Sequence, residues 1–303
     1  MQSGRRFFIT GWRASDPVAA FAERLARATN GALEPLDQKG GRGWLYVPQD
    51  DGDVTLARGL CAEYDVAMCL RLAGQSRAAP PSSRPRLLVD SRRLTAVKRY
   101  GEGPHAVWGA QAGCTLGTLV DLGLAQFAGL PADLTLSQWA STSHDAVAPG
   151  ESAATGVIGA DVLFADGTVE TLGGFGTRDT RPLRSARVQA AVPALFEITR
   201  SADARMLRAQ PHWPPLARLD AMMPDANGDD DINVARLFLG NQGRHGWVLQ
   251  WLVRACDTAL HAFRGDAVPP FPDGLREAAH RLDGAIGQVL DPGNLYGGAT
   301  AAP

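Results

Sequence analysis

The stretch Leu237–Ala255, "LFLGNQGRHGWVLQWLVRA", sets Gly240, Gly243 and Gly246 at intervals of three between two apolar runs. Glycine accepts left-handed backbone and carries no Cβ. Such a row therefore marks either an ordinary loop between strands or main chain laid close against a flat ligand. The flanking runs read as strand, turn and strand. What the glycines lie against has to come from the rest of the chain.

Working outward, Asp273–Leu290 reads as a helix and residues 291–298, "DPGNLYGG", as a closing tail. Upstream, residues 201–233 hold four prolines and an acidic run and read as an irregular excursion. The apolar stretch 185–200 is open between strand and helix. Residues 159–174 predict a β-hairpin about Asp166-Gly167, the pair a two-residue turn prefers. Residues 105–124 read as a strand, a glycine turn and a helix beginning near Thr115. The first 90 residues alternate differently. A helix over 16–30 is capped by Asp16 with Pro17 at its first position. A strand (44–48), a helix (53–65), a strand (66–72), a Pro/Ser/Arg loop (77–85) and a strand (86–90) follow, making a compact α/β unit. There is no internal repeat.

The chain has 303 residues, 45% hydrophobic and 20% charged, with net charge -2, which reads as soluble and globular. That balance gives no electrostatic case for nucleic acid or an anionic membrane as partner. No apolar run approaches the ~18 residues of a membrane span, and "FFI" near the start is too short for a secretion signal. The expected location is cytoplasmic. Cys61, Cys69, Cys114 and Cys256 stand apart in apolar contexts and read as buried free thiols.

Several motifs fail. "GGFGTRD" lacks the third glycine of a dinucleotide fingerprint, and "GNQGRHG" leads into a strand-like run. "DANGDDD" begins like a calcium loop, but Asp230 takes the obligatory glycine position and Arg236 the bidentate glutamate position, so a solvated acidic loop is expected. No metal site is expected. No G-x-S-x-G elbow occurs.

Four segments in order carry a resemblance. They are "LLVDSRRLTAV" (87–97), "VWGAQAGCTLGTLVDLGL" (107–124), "GADVLFADGTVETLG" (159–173) and the opening stretch, with "LDPGNLYGG" at the end. Together they resemble the FAD-linked oxidases of the p-cresol methylhydroxylase/vanillyl-alcohol oxidase type, most like the flavin subunits of glycolate oxidase and D-lactate dehydrogenase. The resemblance implies an α+β, two-subdomain FAD-binding fold. Residues 1–100 would form the first, α/β, subdomain, and 101–256 the second, with the excursion at 176–233. Residues 257–303 would supply a C-terminal helix and tail. Only about 17 residues separate Cys256 from Asp273, so the family's substrate cap is expected to be absent.

The resemblance implies FAD as cofactor. The family's phosphate loop "R-G-G-G-T-S" falls on Arg71, Leu72, Ala73, Gly74, Gln75 and Ser76, with Leu72 and Ala73 replacing glycines. Its second loop, "T-I-G-G", falls on Thr135, Leu136, Ser137 and Gln138, where both glycines are gone. Successive backbone N–H groups would hold the diphosphate in these loops. Gly240, Gly243 and Gly246 would admit main chain beside the cofactor. His144 is the candidate catalytic base, with Arg71 or Arg244 facing a substrate carboxylate and Asn294 and Tyr296 approaching the ring. The implied activity is an FAD-dependent oxidoreductase acting on CH–OH groups, oxidising a 2-hydroxy acid or similar alcohol. Its partners would be a small-molecule substrate, a larger flavin subunit and an iron–sulfur subunit. The alternatives are a flavin-free, non-catalytic relative serving as a partner-binding subunit, and a small-ligand-binding protein reusing the fold.

Overall fold

The computed structural model describes residues 16–36, 42–72, 84–142, 147–175, 183–223, 232–257, 260 and 271–297. Helix α1 (Pro17–Ala28) starts as its sequence dictates: the Asp16 carboxylate accepts the Val18 N–H, and Phe21 and Leu25 face the core. Strand β2 (Gly43–Val47), helix α2 (Asp51–Glu63), strand β3 (Ala67–Leu70) and strand β4 (Arg86–Val89) follow, with Asp50 capping α2.

A strand the sequence did not announce, β1 (Ala32–Leu36), pairs antiparallel with β2 at the sheet edge. Its sequence, ALEPL, contains Pro35, which cannot donate to a ladder. At an edge that loss is tolerated, which is why the strand exists and why its pattern hid it. The first sheet runs β1-β2-β4-β3, with β2 and β3 both parallel to β4.

The second sheet is antiparallel throughout and runs β5-β6-β9-β7-β8. Its strands are β5 (Val97–Tyr100), β6 (Val107–Gln111), β7 (Val157–Leu163), β8 (Val169–Gly173) and β9 (Trp247–Arg254). Between β6 and β7 lie helices α3 (Leu116–Asp121) and α4 (Leu136–Ser141). The hairpin at β7/β8 forms, but its loop is Ala165–Gly167, three residues rather than two. Phe164 N–H still bonds Thr168 O, and of the loop residues only Gly167 has positive φ (91°). Two ordinary turn residues followed by a left-handed glycine is the next commonest hairpin solution.

Three other expectations change. Residues 185–200, ambiguous in sequence, form helix α5 (Ala186–Thr199), whose buried Val188, Val192, Leu195 and Thr199 recur at helical spacing. The excursion at 201–233 is partly regular, containing helix α6 (Ala202–Arg208) capped by Ser201 and a 3-10 turn at Leu219–Met222. The first apolar run of the opening stretch is not a strand. Val234–Phe238 is a 3-10 turn, all five residues buried, started by the Asn233 side chain accepting the Ala235 N–H. A segment buried on every side shows no alternation, and its asparagine supplied the competing local bond. The proposed calcium-like loop, apart from its last residues, lies outside the described residues.

The main core packs the second sheet against α3 to α6 and helix α7 (Asp273–Leu290). A second core lies between the first sheet and helices α1 and α2, and it also takes in Leu163, Trp247 and Leu249 from the second sheet. The C-terminal tail enters this second core. Met68 N–H donates to Leu295 O at 2.8 Å, and the fully buried Tyr296 donates its hydroxyl to Leu163 O at 2.9 Å. The tail thus pins both sheets together. All four cysteines are free thiols; Cys61, Cys69 and Cys114 are buried, and burial pushes each of those thiols up, Cys114 to about 11. No described helix is long and apolar enough to cross a membrane.

Candidate functional site

Of the residues that sequence reasoning assigned to the flavin loops, the described ones lie at the end of β3, at the start of α4 and in the glycine turn, which meet along one seam. Ala73, Gly74, Gln75, Ser76 and His144 lie outside the described residues. Arg71 leaves the end of β3 with its N–H on Val89 O, and its guanidinium donates to Asp90 Oδ2 at 2.6 Å. Asp90 is 9% exposed on its side chain and also faces Arg92, so Arg71 neutralises a buried carboxylate.

Thr135–Gln138 is not a loop but the start of α4. Thr135 and Gln138 form a reciprocal capping box: the Thr135 hydroxyl accepts the Gln138 N–H at 3.3 Å, and the Gln138 side chain accepts the Thr135 N–H at 3.2 Å. Leu136 N–H donates to Cys114 O at 2.7 Å and Ser137 N–H to Ala112 O at 2.9 Å. All four amides of the segment are therefore committed to protein acceptors. The Ser137 hydroxyl bonds those of Ser91 and Thr135, which adds side-chain bonds to the committed amides.

The three glycines have protein neighbours. Gly240 and Gly243 have φ of 77° and 74°, in the left-handed region. A Cβ on Gly243 would meet Leu70 Cβ at 2.6 Å, and one on Gly246 would meet Val162 Cγ1 at 2.8 Å. Gly240 N–H donates to Ala140 O and Gln242 N–H to Ser141 O, tying the turn to the end of α4. The cavity that Leu70, Ser137, Gly243, Gly246, Trp247 and Trp251 enclose holds about 20 Å³. That accommodates one water, whereas small-molecule pockets run about 300–1,000 Å³. The indole N–H groups of Trp247 and Trp251 are buried without partners, polar atoms that a water in such a cavity could satisfy. The described part of the seam, as it stands, does not fit a dinucleotide.

Two larger cavities lie elsewhere. One, of about 440 Å³, sits over the second sheet between Tyr100, Ile158, Leu172, Phe175 and Leu252, with Asp161 and Gln250 as its polar groups. The other, of about 820 Å³, lies between the glycine turn, α7 and the tail. Gln242, Arg244 and His245 line it from the turn, Arg276, His280 and Asp283 from the helix, and Asn294 from the tail. His245 is 7% exposed, its φ is 73°, and its Nε2 is buried without a partner. Burial first, then the charge of Arg244, holds its pKa down to about 4, so the ring is neutral. Asp283 accepts the N–H groups of Leu216 and Ala217, and desolvation still raises its pKa.

Sequence reasoning named Arg244 for a substrate carboxylate and Asn294 for the flavin ring; both line this wall, and the helix face opposite was missed. Its signal was present: Arg276, His280, Gly284 and Gln288 recur every fourth residue, and Gly284 and Gly287 leave that face bare. Tyr296, expected near the flavin ring, is instead a buried tie to β7. Among the described residues no three His, Cys, Asp or Glu side chains group to hold a metal.

No family model matches the chain, and no curated protein matches it. Solved structures superpose on it loosely. The carbohydrate oxidase from Microdochium nivale is 12% identical over 79% of this chain and 43% of its own, with a TM-score of 0.44. The glucooligosaccharide oxidase from Acremonium strictum, which carries a 6-S-cysteinyl, 8α-N1-histidyl FAD, is 13% identical over 79% and 42%, with a TM-score of 0.43. Cholesterol oxidase from Brevibacterium sterolicum is 12% identical over 74% and 37%, with a TM-score of 0.41. The chain thus spans about two-fifths of the length of these oxidases. Superpositions this loose assign it neither cofactor nor substrate.

Proposed function

We propose that this chain is an oxidoreductase subunit of the FAD-oxidase type whose seam is closed to flavin in the conformation described. The support for the type is the ordered set of resembling segments, which fold into two sheets meeting at the seam where the flavin loops would lie. FAD, where bound, would supply hydride acceptance at its ring. Arg71 and the amides near Thr135 and Gly243 would be its nearest protein groups, but they are now bound to Asp90 and to backbone or side-chain acceptors.

The second reading, a flavin-free, partner-binding subunit, draws on one observation for its flavin-free part: the described seam encloses about 20 Å³ and its amides are occupied. Within the described part of the seam, room for FAD would require parting Gly243 from Leu70 and breaking several of these hydrogen bonds. The substrate class, a 2-hydroxy acid or similar alcohol, and the larger flavin and iron–sulfur partners rest on the family resemblance alone.

The deciding measurement is an absorbance scan of the pure protein between 350 and 500 nm, followed by titration with FAD. Closure predicts a colourless protein that takes up no flavin at micromolar concentration. A yellow protein, or saturable uptake, would establish flavin occupancy and show that the seam opens. Glycolate and lactate oxidation with an artificial electron acceptor would then test the substrate class.

A further inference from the structure

We propose that the cavity between α7, the glycine turn and the C-terminal tail is a binding site for a small oxyanion-bearing molecule, a carboxylate or a phosphate ester, anchored by Arg244. This site goes beyond the flavin reading, because it lies outside the water-sized seam and needs no cofactor. Three independent observations converge on it.

The first is backbone strain. Among the described residues, four non-glycine positions have left-handed φ: Asp65, Gln242, His245 and Asn294. The last three all line this one cavity. Such backbone is unfavourable for residues with a Cβ and gathers where a surface is shaped for a ligand. At His245 the strain coincides with a buried ring nitrogen that has no partner.

The second is the balance of donors and acceptors. Arg244 is half-buried, and its guanidinium makes no hydrogen bond or ion pair with any described residue. His280, Gln242, Gln288 and Asn294 add further polar groups to the wall, and Arg276 adds a guanidinium that is paired with Asp273. The wall's carboxylates are already engaged: Asp283 by the amides of Leu216 and Ala217, Asp291 by those of Leu295 and Tyr296. A lining in which Arg244 is unpaired among the described residues, while Asp283 and Asp291 are committed to backbone amides, selects an acceptor-rich ligand. A guanidinium pairs with carboxylate or phosphate through two parallel bonds.

The third is room. The cavity holds about 820 Å³, and a Cβ on Gly284 would meet nothing within 4 Å. A glycine inside a helix weakens it, yet here one stands where a side chain would project into the cavity.

The test uses the full chain at low ionic strength, free of flavin, titrated calorimetrically with inorganic phosphate and separately with malonate. Saturable one-to-one binding of either probe is expected, and the tighter probe identifies the group recognised. Arg244→Gln should weaken that binding at least tenfold. Gly284→Leu should abolish it while raising thermal stability, since the new side chain fills the space and strengthens the helix. Arg281→Gln, on the same helix but paired with Asp203 outside the lining, should bind like the parent. Absence of saturable binding for both probes overturns the proposal, as does equal affinity in the Arg244→Gln and Gly284→Leu proteins. Because flavin is absent throughout, these outcomes are independent of whether the seam accepts FAD.

Discussion

Gly243 backs onto Leu70 so closely that a Cβ on the glycine would lie 2.6 Å from the leucine Cβ. This contact joins the turn before β9 to the last residue of β3, and with it the two sheets. It also explains the glycine without a ligand, because φ is 74° and the neighbouring space is already filled by protein.

Gly243→Ala should therefore destabilise the protein by roughly 2–4 kcal/mol, combining left-handed strain with overpacking. Leu70→Gly in the same chain, which removes the Cβ at 2.6 Å where alanine would keep it, should relieve the overpacking part but not the backbone part. Urea unfolding of the two single variants and the double variant measures both. A cost below about 0.5 kcal/mol for Gly243→Ala would show that the contact is not tight.

The capping box gives a second expectation. Thr135→Ala removes the acceptor for Gln138 N–H and should lower stability by about 1 kcal/mol. Replacing Ser137 and Gln138 together by glycine would install the residues of the resembling family's loop. It should not create flavin affinity, because Leu136 and Ser137 N–H remain bonded to Cys114 and Ala112 carbonyls. Fluorescence titration of that double variant with FAD checks this directly.

His245 makes stability pH-dependent. Its folded pKa is depressed to about 4 by burial and the Arg244 charge, below the ordinary value of 6.5. The fold thus favours the neutral ring, and the stabilisation is present above pH 6.5. It is lost as pH falls toward 4, by about 3 kcal/mol in total. His245→Asn, which tolerates the left-handed backbone, should flatten that part of the profile. Parallel unfolding curves from pH 7 to pH 4 show whether the slope depends on this ring.

Arg218 and Asp220 are 2% and 0% exposed on their side chains and bond at 2.6 and 2.9 Å. Arg218 also donates to the carbonyls of Val147 and Ala148, and Asp220 accepts Gly150 N–H. Arg218→Met removes the main partner of a buried carboxylate, leaving it Gly150 N–H and Arg208 at 3.9 Å, and should destabilise by about 3 kcal/mol. Adding Asp220→Leu should recover part of that loss, measurable by thermal unfolding of both proteins.

Much of this architecture could be read from local chemistry. Asp16-Pro17 announces α1, and Asp166-Gly167 announces the hairpin, because caps and turns depend on residues next to each other. Strand β1 escaped because Pro35 is acceptable only at an edge, and edge position is a property of the whole sheet. The 3-10 turn at Val234–Phe238 escaped because burial on all sides removes periodicity. The glycines of the opening stretch are the instructive case. Sequence shows that a Cβ is excluded at Gly243 and Gly246; it does not show whether a cofactor or Leu70 and Val162 exclude it. Likewise, Ser137 and Gln138 read as lost glycines in a loop until the helix they cap is seen. The helical side of the large cavity was written in the four-residue recurrence of Arg276, His280 and Gln288, but only folding sets Arg244 opposite it.

The tail's position has a consequence for synthesis. Cys69, buried on the edge strand β3 of the first sheet, lies against the carbonyl of Gly297, 228 residues later. A ribosome making this chain releases β3 long before Leu295 and Tyr296 exist to cover it. Until then the apolar ends of the first sheet stand open, so a nascent or truncated chain ending before the tail should need chaperone protection that the finished protein does not.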